Sequence, residues 1–284
     1  MNKTLGCVAI AALALHGGHA LANHPVLVEG NCLGTPTADA PINGLTGAAC
    51  GDYDGDGLIG AAEDADGDNV FGTIAGGLAD ISQNGIITVV SSGTFPEVVR
   101  ITGNVTLEAA PGVSANIEAF VQGEPAPESG SLQSAPGIVV DAPANRQVVL
   151  RNLTTRNWTD GVRVTGESRV MIDNVRAEHN INNGIVVSDT ARVAIVGSRI
   201  TSTGHRVNPG TGDFPSADFS PAPGDGISYL GNSSGIINDT VVTGSFRFGM
   251  NNGTGNPDAL FVRESSAFDN GDDFSPNFNF ERFR

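Results

Sequence analysis

Pro136-Gly-Ile-Val-Val140, Asp160-Gly-Val-Arg-Val164, Asn183-Gly-Ile-Val-Val187 and Asp225-Gly-Ile-Ser-Tyr229 are four versions of one phrase. Their glycines stand 24, 23 and 42 residues apart, so the last step holds one repeat and about 19 inserted residues. A second apolar segment follows each phrase: Val148 to Leu150, Val170 to Ile172, Val193 to Val196 and Ile236 to Ile237. A further one runs from Leu260 to Val262, and a third apolar patch recurs at Leu153, Val175, Ile200 and Val241. Three short strands per repeat, joined by turns, make one coil of a solenoid. Side chains alternate along a strand, so Ile138, Val140, Val162, Val164, Ile185, Val187, Ile227 and Tyr229 are expected to point inward as two apolar columns. Val139, Arg163, Val186 and Ser228 are expected to point outward. A single coil cannot bury its own apolar face, whereas coils stacked ~4.8 Å apart bury a continuous core. No long helical segment separates the strands, which excludes a doubly wound α/β fold, and a sandwich does not account for the period.

With this period, residues 70–270 resemble the right-handed parallel β-helix family, the fold group of pectate lyases and pectin esterases. The expected fold is therefore all-β, a right-handed parallel β-helix with coils of roughly 23 residues. Phe71-Gly-Thr-Ile-Ala-Gly-Gly-Leu-Ala-Asp-Ile-Ser82 resembles the capping helix that opens such solenoids, and Ile87–Thr102 and Asn104–Gly112 resemble first coils. At the other end, Phe274, Phe278, Phe280 and Phe283 would cover the open core, or else dock a partner or a second copy.

Upstream of the solenoid, Gly51-Asp-Tyr-Asp-Gly-Asp-Gly-Leu-Ile-Gly-Ala-Ala-Glu63 fits a calcium loop. Asp52, Asp54 and Asp56 occupy its first, third and fifth positions, Gly57 its sharp turn, Leu58 the carbonyl ligand, Ile59 the eighth position and Glu63 the bidentate twelfth. A second triplet, Asp64, Asp66 and Asp68, lacks an acid at its own twelfth position, which is Ala75. The overlap leaves no room for an exit helix, so the stretch resembles the tandem loops of thrombospondin type 3 repeats or dockerins more than a calmodulin-type sensor. The expected cofactor is Ca²⁺ in a structural role.

Export is expected from the N-terminus. Lys3 precedes an apolar run from Gly6 to Leu15, and Ala20-Leu21-Ala22 fits a cleavage site, which assigns residues 1–22 to a signal peptide. That run is too short to span a bilayer, and Cys7 stands ahead of its apolar core instead of after it, unlike a lipid-anchor cysteine. A mature chain starting near Asn23 would be extracellular or periplasmic. There Cys32 and Cys50 form an even pair, and a bridge would contribute ~3 kcal/mol by closing a short loop. The expected organisation is then residues 23–50 closed by that disulfide, 51–72 the calcium loop, and 73–284 the solenoid with its insertion near 205–224.

Lys3 is the only lysine, which leaves fourteen arginines against 31 acidic residues. That balance excludes binding to nucleic acid or an anionic membrane through bulk charge. Lyases that abstract a proton with lysine are likewise excluded for the mature chain. Pectin esterases carry Asp-Phe-(Ile/Leu)-Phe-Gly, of which Asp218-Phe-Ser and Asp273-Phe-Ser share only two residues. An arginine-based lyase would need arginine beside calcium-holding acids; Arg163, Arg169 and Arg192 with Glu167, Asp173 and Asp189 are the candidates. Arg169 and Arg192, 23 residues apart, hold equivalent places before Val170 and Val193 and should stack. Like charges so placed repel, and either a bound anion such as a uronate chain or neighbouring Glu167 and Asp189 would relieve them. On the insertion, His205, Arg206, Asp213, Asp218, Phe214 and Phe219 could contact a sugar; His179 reads as a turn residue. The expected function is a carbohydrate- or surface-associated binding or structural module. The alternatives are a polysaccharide lyase or esterase acting on acidic glycans and a subunit of an extracellular assembly.

Overall fold

A computed structural model of the chain describes residues 26–30, 32–33, 42–43, 70–81, 84–119, 135–204 and 224–278. Three parallel sheets run the length of a solenoid. The first sheet has nine strands, in spatial order Leu260–Arg263, Ser234–Asn238, Arg192–Val196, Arg169–Asp173, Gln147–Arg151, Asn104–Ala109, Asn84–Val89, Val26–Val28 and Val70–Phe71. The second has seven, from Val99–Ile101 through Ile138–Val140, Asp160–Val164, Asn183–Val187, Asp225–Leu230 and Phe248–Gly253 to Asp272–Phe274. The third has seven, from Gly93–Phe95 through Ala115–Glu118, Leu153–Arg156, Arg176–Glu178, Arg199–Thr201 and Val241–Thr243 to Ser266–Phe268. The chain visits the second, first and third sheets in turn, and each circuit adds one strand to each. This is the parallel β-helix that the repeated phrase predicts.

Register confirms the inward columns. Ile138, Val162, Ile185 and Ile227 pair in succession, as do Val140, Val164, Val187 and Tyr229, and all eight are solvent-free. At 0 % exposure the apolar side chains among them each contribute about 1.5–3 kcal/mol of burial. The repeat glycine has a steric cause. A Cβ on Gly184 would sit 2.4 Å from Ile200 Cγ2 and 2.6 Å from the Gly226 carbonyl oxygen. On Gly226 it would sit 2.3 Å from Val242 Cγ1 and 2.6 Å from the Gly249 oxygen. Side chains of the third sheet fill the corner where the second begins, and no Cβ fits beside them. Gly249 in Phe248-Gly-Met-Asn-Asn252 occupies the same place one coil later, although its neighbours no longer resemble the phrase.

Many corners carry a residue in the left-handed region, and these residues stack. Between the first and third sheets stand Asn152, Asn174, Gly197, Asp239 and Glu264, with φ from 47° to 58°. Asparagine and aspartate tolerate this region better than most L-residues. Asn174 Nδ2 also donates to Asn152 Oδ1 at 2.8 Å, and Asn152 Nδ2 to the Ala109 oxygen at 3.3 Å. His179 lies in the corresponding column between the third and second sheets, with φ 54°, so it is a corner residue as expected. The insertion leaves the solenoid undisturbed: Gly204 and Gly224, at φ 89° and 62°, approach so closely that a Cβ on the first would lie 3.1 Å from the other's Cα. Asn183 and Asp225 therefore still pair directly across it.

The first sheet extends further than the repeat indicated, because Val26–Val28 pairs in parallel with Asn84–Val89 and with Val70–Phe71. Cys32–Leu33 forms a two-stranded antiparallel ladder with Ile42–Asn43. A seven-residue helix, Ile74–Asp80, buries Ile74 and packs Gly77 against Val26, Val28 and Ile87. Thr73 Oγ1 accepts from the Gly76 N–H, and both Glu97 carboxylate oxygens accept at 2.8 Å from the Ile74 and Ala75 N–H groups, which pairs three of the helix's free donors. Phe274 and Phe278 pack edge to face at 5.2 Å, with Phe278 buried.

Candidate functional site: a groove on the first sheet

The outward positions of the first sheet form columns as regular as the inward ones. Gln147, Arg169, Arg192 and Ser234 pair in succession along one column. Arg169 and Arg192 therefore stack as their spacing predicts, while Arg146 is one residue out of phase and Gln147 takes its place. The next outward column is apolar: Val149, Met171, Ala194, Ile236 and Phe261. Ile236 is 46 % and Phe261 36 % exposed, unusual for large apolar side chains. Between the two columns runs an open groove of about 540 Å³, which also touches Asp258 and Ala259.

Neither guanidinium is neutralised by a neighbour among the described residues. Among the described residues the guanidinium groups of Arg169 and Arg192 take part in no ion pair or hydrogen bond. Asp189, considered above as a partner, instead accepts from the Gly166 N–H at 3.0 Å. Asp173 accepts from Arg151 Nε at 2.9 Å, and Arg151 Nη1 reaches Glu108 at 3.1 Å. That bridge gathers the acids at the far margin of the sheet and raises the Arg151 pKa through its bond to Asp173. The groove thus has a cationic edge, an apolar floor and, across the floor, a neutralised acid pair. Such an arrangement can hold an extended ligand with an anionic edge and a carbon-rich face.

The other residues singled out in the sequence fall differently. Asp52, Asp54, Asp56, Leu58, Glu63, Asp64, Asp66 and Asp68 lie outside the described residues, as do Cys50 and the insertion residues His205, Asp213 and Phe214. Cys32 is described as backbone within its short strand. Among the described residues no three His, Cys, Asp or Glu side chains are gathered as a metal site, and no helix is long and apolar enough to cross a membrane.

The outer face of the second sheet departs from expectation. Val186 and Ser228 occupy the outward column, yet they are buried. Ser228 is drawn into a polar network around Asp225, itself solvent-free. Asp225 accepts from Arg247 Nε at 2.7 Å, Arg247 Nη2 at 2.6 Å, Ser228 Oγ at 2.7 Å and Asn251 Nδ2 at 2.9 Å. Two coils away Asp160, 1 % exposed, accepts from Asn183 Nδ2 at 2.7 Å and pairs with Arg163. The signal for this network lay in the phrase itself, in the acid or amide before each glycine at 160, 183 and 225.

A family model described as right handed beta helix region matches residues 136–273. No curated protein and no solved structure matches the chain. The match and the three parallel sheets together support the β-helix family.

Proposed function

We propose that this chain is an exported, calcium-stabilised β-helix module that binds an acidic glycan along the outer face of its first sheet. The observation that carries the reading is the in-register pair Arg169 and Arg192, whose guanidinium groups make no ion pair among the described residues, beside the Met171–Ala194–Ile236–Phe261 stripe. Guanidinium groups take carboxylates bidentately, and an apolar stripe with an aromatic at its end suits the C–H face of a sugar ring. Arg169 and Arg192 lie on consecutive coils, so two successive sugars of one chain would each meet a guanidinium. The overall negative charge keeps the interaction local and selective.

The calcium loop acts as a staple ahead of the solenoid, fixed by Asp52, Asp54, Asp56, Glu63 and the Leu58 carbonyl, with the Cys32–Cys50 bridge before it. The helix Ile74–Asp80 closes that end of the core. A lyase that uses arginine as base needs several carboxylates beside it to hold calcium, and the groove is lined by one, Asp258, which favours binding over turnover. A glycan panel scored for both retention and unsaturated product tests the proposal. Retention of uronate-rich chains without product is expected; product formation would make the protein a lyase, and no retention would remove the glycan reading.

A further inference from the structure

The second sheet carries two arginines of a different kind, each fixed by a buried carboxylate. Arg163 spends Nε and Nη2 on Asp160, and Arg247 spends Nε and Nη2 on Asp225. Both aspartates are at most 1 % exposed, whereas the arginine side chains are 41 % and 45 % exposed. In each guanidinium Nη1 has no partner among the described residues. Arg247 is further held with its guanidinium carbon 4.9 Å from the centre of the Phe248 ring. The two groups are thus oriented in advance, and binding would cost little side-chain entropy.

We propose that this face is a second anion site, separate from the first-sheet groove, for a short ligand bearing two oxyanion groups. Asp160, Asn183 and Asp225 pair in consecutive register, so the two buried carboxylates that hold the anchors lie two coil steps apart, ~10 Å at the usual strand spacing, and Arg247 reaches Asp225 from the following coil. Each free Nη1 takes one oxyanion of the ligand. Val186 and Ser228, in the outward column beside them, are buried, and this low-dielectric neighbourhood strengthens charge interactions at the exposed guanidinium edges. Two separate guanidinium edges match two discrete oxyanion groups on one short ligand. Sulfate ester, phosphate and carboxylate share the required chemistry.

Calorimetry at low ionic strength, in an Arg169→Ala/Arg192→Ala background that silences the groove, separates this site from the glycan reading. The probes are inorganic tripolyphosphate, a sulfated tetrasaccharide and a uronate tetrasaccharide, and the one that binds identifies the oxyanion. Arg163→Ala should weaken binding ~10-fold, as expected for loss of one charge-assisted contact. Arg247→Lys keeps a charge on Asp225 without a second guanidinium edge and should weaken it similarly; together the two should abolish it. The proposal is overturned if none of the three probes binds, or if Arg163→Ala and Arg247→Lys, folded by circular dichroism, bind as the parent does.

Discussion

Gly226→Ala puts the steric account of the repeat to a direct test. The new methyl would lie 2.3 Å from Val242 Cγ1, 2.6 Å from the Gly249 carbonyl oxygen and 2.8 Å from Ser245 Oγ. Val242 is fully buried, and the carbonyl belongs to the strand of the next coil, so neither can retreat without shifting the stack. Overpacking of this kind costs about 1–3 kcal/mol, partly offset by the ~0.4–1 kcal/mol gained when alanine stiffens the unfolded chain. A net loss of ~1–2 kcal/mol lowers Tm by about 3–8 °C for a domain of this size. Gly103 provides the control, since a Cβ there meets nothing within 4 Å; Gly103→Ala should be neutral or slightly stabilising. Paired thermal and urea melts, with unchanged m-values, give the comparison. If Gly226→Ala melts with or above Gly103→Ala, the corner is not close-packed and the explanation of the repeat glycine fails.

Three other outcomes follow from the same account. Chelation should lower Tm, because a site saturated at about 100 times its Kd contributes ~2.7 kcal/mol; Asp54→Ala with Glu63→Ala should abolish this sensitivity, and calorimetry showing no Ca²⁺ uptake by the wild type would end the calcium proposal. Asn174→Ala removes both the 2.8 Å bond to Asn152 and a residue suited to φ 51°, and should cost about 1–2 kcal/mol in denaturant melts, with Asn174→Gly recovering part of it. Burial raises the Glu118 pKa against the opposing pull of Arg156 and Asn157, so its ionised form disfavours the folded state. Stability from this group is therefore lost as pH rises from its ordinary value through the raised one. The Tm advantage of Glu118→Gln over wild type should be greatest at neutral pH and shrink on acidification; an advantage that grows toward low pH would contradict the sign.

Most of the architecture was legible because a solenoid writes its packing into the sequence once per coil. The phrase at 136, 160, 183 and 225 located the second sheet, and the apolar segments after it located the others. The rungs that escaped detection lack the phrase: Val26–Val28 and Val70–Phe71 join the first sheet through tertiary contacts, and Phe248-Gly-Met keeps only the glycine. The stacking of Arg169 on Arg192 followed from their spacing alone. Their freedom from counter-charges did not, since it depends on Asp173 turning to Arg151 and Asp189 to the Gly166 amide. The buried aspartates were hidden for another reason. An Asp or Asn before glycine reads as a turn signal, and only the register shows Asp160, Asn183 and Asp225 stacked, with Arg247 arriving from the following coil.

If the first-sheet groove binds an acidic glycan through its arginine pair, removing that pair must weaken binding. Calorimetric titration of the wild type and of Arg169→Ala/Arg192→Ala with one defined uronate oligosaccharide, repeated across salt concentrations, tests it most directly. At least ~10-fold weaker binding and a shallower salt dependence are expected for the double variant, as two charge-assisted contacts are lost. Equal affinity and equal salt dependence for the two proteins would contradict it.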